Sequence, residues 1–83
     1  MDTLHAEITE YILNEFLPGE DPSVLTGDVE LISGRILDSL ATLKLVTFLE
    51  DTYKVQFEAH EVGIDNLNTI DRIVDVVREK QGQ

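Results

Sequence analysis

From Arg35 to Tyr53 the chain runs nineteen residues without a glycine or a proline, and apolar residues recur through it at helical spacing. This stretch restricts the fold more than any other. Projected at about 100° per residue, Leu45, Val46, Leu49 and Tyr53 fall on one side, the arrangement of a helix that buries one face. Asp38-Ser39 supplies the amino-terminal boundary, with Gly34 just upstream. The opposite side carries Lys44, Thr47, Glu50 and Asp51, together with Leu40 and Leu43. Two leucines among charged residues, one turn from a serine at the helix start, are anomalous for a purely structural helix, which would place polar residues there.

The remaining pattern is helical as well. Leu4, Ile8, Tyr11 and Ile12 follow helical spacing, and Leu13, Phe16 and Leu17 widen the stripe. A first helix is expected over residues 3 to 17, capped by Asp2 or Thr3 and stopped at Pro18-Gly19. Residues 18 to 38 have no sustained period, an unusual length for a loop in a small domain. Val24, Leu25, Val29, Leu31, Ile32, Ile36 and Leu37 make it too apolar for a disordered linker, so it is expected to lie pinned across the helices. A turn of helix is expected near Asp21 to Leu25. After the central helix, Lys54 to Phe57 reads as extended, with Val55 and Phe57 as anchors. A short third helix around Glu61-Val62-Gly63-Ile64 is weakened by its glycine. Asn68 is expected to cap the last helix in a capping box with Asp71, and Ile70, Ile73, Val74 and Val77 form its buried stripe to about Lys80. Arg78 and Lys80 suit its carboxyl end. The expected fold is all-α: one domain over 1–83, an antiparallel bundle of three main helices and one short helix, with a long loop between the first two.

Eighty-three residues leave no room for a second core. With no cysteine there is no disulfide framework, thiolate metal site or cysteine nucleophile, so any thiol chemistry must come from something attached. Seventeen acidic against six basic residues give a net charge of −11. That charge repels nucleic acid and anionic lipid and favours partners with basic surfaces. No apolar run approaches the roughly 20 residues that span a bilayer. Met1 to His5 lacks the basic and apolar regions of a secretory signal, so a cytoplasmic, monomeric protein is expected.

Other chemistries fail on spacing. Asp65 to Asp71 places apolar and β-branched residues where calcium ligands would stand and lacks the sharp-turn glycine. Nothing in the sequence brings His5 or His60 to Asp38 and Ser39, and no glycine-rich elbow surrounds the serine. Both histidines are expected at the surface, without ligand or catalytic roles. No glycine pattern cradles phosphates, and Ser23 and Ser33 lack a following periodic helix.

Asp38-Ser39-Leu40 opening an amphipathic helix, with acidic residues further along it, resembles the modification site of acyl carrier proteins. The resemblance extends from the first helix to the last, and the long first loop belongs to it. It implies that Ser39 carries a 4′-phosphopantetheine arm installed from coenzyme A by a phosphopantetheinyl transferase, which uses the region of Asp38. The arm would supply the thiol that the chain lacks and hold acyl or aminoacyl groups as thioesters. A loading ligase and downstream synthases or transferases would perform the chemistry, in a fatty acid, polyketide or other specialised pathway. Leu40, Leu43, Thr47, Glu50 and Asp51 are the expected partner contacts, and the chain itself is expected to catalyse nothing.

Fatty-acid-synthesis carriers usually have acidic residues two and five positions after the serine, where this chain has Ala41 and Lys44. Ile36-Leu37-Asp38-Ser39-Leu40 looks more like stand-alone carriers of specialised pathways, the D-alanyl carrier group included. A specialised acyl, aminoacyl or peptidyl carrier is therefore favoured over a housekeeping one. The competing reading is a small acidic helical adaptor, never modified, that binds a partner through Leu40 and Leu43.

Overall fold

The computed structural model describes residues 3–82. Four α-helices follow in order: α1 (Thr3–Phe16), α2 (Ser39–Tyr53), α3 (Ile64–Leu67) and α4 (Ile70–Lys80). Single tight turns of helix lie at Pro22–Val24 and Ala59–Glu61, and the described residues contain no strand. The all-helical expectation holds. The cap placed on Asp2 falls outside the described residues.

The core is the meeting of the predicted stripes. Ile8 and Ile12 of α1, Leu45 and Leu49 of α2, and Ile70, Ile73 and Val77 of α4 are fully buried. Each such side chain contributes about 1.5–3 kcal/mol by leaving water. α1 and α2 run antiparallel along an aromatic seam. Tyr11 stacks on Phe48 with ring centroids 3.9 Å apart, its hydroxyl donates to the Lys44 carbonyl at 3.2 Å, and the Tyr53 hydroxyl donates to Glu7 at 2.7 Å. Burial, and then the bond to Glu7, push the Tyr53 phenol far above its ordinary value, which keeps it a donor.

The long connection before α2 is packed, as its composition implies. Leu25, Leu31 and Leu37 are buried, while Val29, Ile32 and Ile36 are half-buried against the core. Val24 departs from expectation: it is exposed, on the outer side of its helical turn. The Leu31 carbonyl accepts from both Ile36 and Leu37 N–H at 2.8 Å, closing the chain into a tight ring just before α2. Gly34 sits inside this ring, where a Cβ would collide with the Glu30 backbone carbonyl. Arg35, the next residue, adopts a left-handed conformation (φ 66).

Three expectations after α2 need correction. Gly63 does not lie within the third helix but immediately precedes it, and the helical turn that includes Glu61 is separate. Splitting the segment there removes the cost of a glycine in a helix interior. Asn68 does not cap α4. Thr69 does, its hydroxyl accepting from Arg72 N–H at 3.1 Å. The Asn68 side-chain oxygen instead accepts from the Ile32 and Ser33 N–H groups at 2.9 Å, and its carbonyl accepts from Leu31 N–H. The third correction follows from the second: Asp71 closes no box with Asn68 but lies 3.2 Å from His5 Nε2, and its N–H donates to the Gly27 carbonyl at 3.0 Å. A long-range bond outcompeted the local cap.

Candidate functional site

The site is built by the start of α2. Asp38 is extended (φ −84, ψ −174), and its Oδ1 accepts from Ala41 N–H at 2.8 Å while its carbonyl accepts from Thr42 N–H at 2.9 Å. Asp38→Ala at such a position costs about 0.5–2 kcal/mol. Thr42, the single buried polar residue among those described, turns its hydroxyl back to the Asp38 carbonyl at 2.8 Å. Asp38 is thus locked from two sides, and Ser39 follows as the first residue of the helix, exposed. Helix geometry leaves the N–H groups of Ser39 and Leu40 without carbonyls one turn back, so the position favours a negative group on the serine.

Around the serine the surface is apolar to an unusual degree. Leu40 is 64% exposed and Leu43 56%, as the helical projection required. An open groove of about 610 Å³ lies beside the helix start, lined by Ile32, Arg35, Leu37, Asp38, Ser39, Thr42, Leu43, Val62 and Gly63. Ser39 and Leu43 were legible as site residues. Val62 and Gly63 were not, because they come to the groove from the far connection and no local signal marks them.

Of the other expected contacts, Thr47 and Asp51 are exposed on the outer side of α2. Thr47 donates its hydroxyl to the Leu43 carbonyl at 3.1 Å. Glu50 is half-buried and spends Oε2 on Phe57 N–H at 2.9 Å, so part of its carboxylate holds the chain after α2. Arg35 is exposed and lines the groove, and Lys44 is exposed further along α2. His5 is half-buried beside Asp71, and His60 is exposed in the helical turn Ala59–Glu61. No group of three or more potential metal ligands gathers among the described residues. Nor is any described helix long and apolar enough to cross a membrane.

An exposed hydroxyl on the first turn of a capped helix, in a small all-helical bundle with exposed leucines beside it, is an arrangement that suits a helical carrier protein. D-alanyl carrier proteins of Streptococcus pyogenes serotype M5 (strain Manfredo), serotype M49 (strain NZ131) and serotype M1 are each similar to the chain. Each is 39% identical over 54 residues, 65% of this chain and 68% of the relative. The chain belongs to the acyl-carrier type of carrier proteins. No family model matches it.

Proposed function

We propose that Ser39 Oγ is the attachment point of a 4′-phosphopantetheine arm, and that the cargo is an aminoacyl group, D-alanyl by likeness to the relatives. The observation that carries this reading is the placement of Ser39: exposed, first in α2, behind a locked Asp38 and lining an open groove together with Leu43. The likeness to D-alanyl carriers favours an aminoacyl cargo over a fatty acyl or polyketide one.

In this reading the arm supplies a terminal thiol that holds the carboxyl carbon of the cargo as a thioester. The chain's own residues do three things. Asp38 fixes the first turn and gives a transferase an exposed carboxylate beside the serine. The N–H groups of Ser39 and Leu40 offset the charge of the phosphodiester. Leu40 and Leu43 give a partner an apolar contact, with Asp51 beyond them meeting basic residues. A transferase, a loading ligase and a downstream acyltransferase perform the bond-making steps, and this chain catalyses none of them.

The test is a mass measurement. Incubation with coenzyme A and a broad-specificity phosphopantetheinyl transferase should add one arm to the wild type and none to Ser39→Ala. A wild type that stays unmodified favours the unmodified adaptor. Holo protein given ATP and a D-alanine-activating ligase should then gain one alanyl group. Loading by a fatty acyl ligase instead would move the cargo to the acyl class.

A further inference from the structure

Two described residues other than glycine hold left-handed backbone, Arg35 (φ 66) and Lys54 (φ 57). Lys54 stands at the carboxyl end of α2, where a cation suits the helix dipole. Arg35 has no such reason. It stands just ahead of the amino end of the same helix, where the dipole favours anions. Its N–H donates to the Ile32 carbonyl at 3.0 Å, but a glycine would make that bond at lower conformational cost. The backbone therefore gives no cause for an arginine here, and the side chain must.

That side chain lines the groove together with Ser39. Among the described lining residues Arg35 is the sole cation and Asp38 the sole anion. The two do not neutralise each other. Asp38 Oδ1 accepts from Ala41 N–H at 2.8 Å, and the Arg35 guanidinium has no hydrogen bond or ion pair with any described residue. Arg72 and Lys80, by contrast, are both paired with glutamates. With seventeen acids against six bases in the chain, an unpaired guanidinium beside the serine is out of keeping. The bonds from Ile36 and Leu37 N–H to the Leu31 carbonyl fix the place where Arg35 leaves the chain. Four residues span at most about 14 Å, a gap that an arginine side chain and a phosphate on a serine bridge together.

We propose that Arg35 binds the phosphodiester of the arm on Ser39, its guanidinium donating to the two non-ester oxygens. This deepens the functional reading above and rests on Ser39 being the attachment point. The planar guanidinium presents paired N–H donors that match two phosphate oxygens, a fit that an ammonium lacks. The phosphodiester is the anion that the groove's lone free cation otherwise misses. Held at its first link, the arm sweeps a narrower cone than one that turns freely about Ser39 Oγ.

NMR of the full 15N-labelled chain before and after modification tests this, with attachment followed by mass. Attachment should move the Arg35 Nε–H resonance and slow its exchange with water roughly tenfold. The Nε–H of Arg72, committed to the Asp65 carbonyl, should stay where it was. In Arg35→Gln the arm should still attach, but its phosphorus resonance should shift and its methyl groups relax as a freer chain. Arg35→Lys should fall between the two. Arg35→Gly separates side chain from backbone: its urea midpoint should equal or exceed the wild type's, with the arm as loose as in Arg35→Gln. A fall in that midpoint makes the arginine structural and overturns the proposal. So does movement of the Arg35 resonance on adding free coenzyme A without a transferase, which would mark a general anion contact. An attached arm with an unmoved Arg35 overturns this proposal alone, whereas an arm that never attaches overturns the Ser39 assignment and this with it.

Discussion

The two irregular connections flanking α2 are stabilised by opposite means. Residues 24–37 hold their place with buried leucines at 25, 31 and 37, whereas residues 58–66 set only the half-buried Val62 against the core and otherwise rely on bonds from Arg72, Lys80 and Glu61. The longer connection, with no periodicity, is thus the one welded to the core. The shorter, which contains two helical turns, is the one held by charge. Helical content is a poor guide to rigidity here; the destination of the side chains is a better one. Both connections reach the groove at Ser39.

The strongest way to break this contrast is Leu31→Ala. It should lower global stability by about 2–5 kcal/mol, like Leu49→Ala in the middle of α2, as read by urea unfolding. A loss below about 1 kcal/mol would mean that the first connection is no better anchored than the second.

Asn68→Ala examines the junction between them. It removes the acceptor shared by Ile32 and Ser33 N–H groups and should cost about 1–3 kcal/mol. The Arg72 bond to Thr69, which caps α4, should survive. Resonances of residues 31–37 should therefore move more than those of α4, whereas the reverse would restore Asn68 as a helix cap.

Acid gives the smallest and most local effect. The Lys80 bond first, then the Glu58 N–H and the nearby charges of Lys80 and His60, hold the Glu61 carboxyl below its ordinary 4.5. A depressed value means that Glu61 contributes fully above 4.5 and loses that contribution as pH falls through its lower folded value. Amides of residues 59–66 should lose protection across that interval. Asp21 and Asp28 in the first connection are depressed too, the former by its bonds with Ser23 and the latter chiefly by Thr26. Those bonds span only two residues, so acid should loosen single turns there without detaching the connection. Falling net charge meanwhile relieves self-repulsion, so the core should not follow residues 59–66. Simultaneous loss of protection at Leu31 and Val62 would dissolve the distinction.

Much of the site was readable in advance because its determinants are local. Asp38 as cap, Ser39 as first helical residue, the buried face of Leu45 and Leu49, and the outward Leu40 and Leu43 all follow from spacing within one helix. The stripe of α4 was legible for the same reason. Errors gathered where the deciding partner was distant. Asn68 and Thr69 are both good caps, and only the N–H groups of Ile32 and Ser33, thirty-five or more residues away, divert Asn68. The bond from Phe57 N–H to Glu50 Oε2 was likewise invisible in the spacing of α2. Val62 and Gly63 carried no mark of a groove wall, since the residues they face lie across a gap in the chain.

Lys54, at the carboxyl end of α2, is left-handed without being a glycine (φ 57), and it closes the helix by donating to the Glu50 carbonyl. With Asp38 fastened at the other end, the rod is capped at both termini. A one-residue insertion between Ser39 and Leu40 would swing the hydroxyl about 100° around the axis relative to both leucines. Sequence drift can repaint this rod's surface, but changing its length would mis-aim whatever hangs from it.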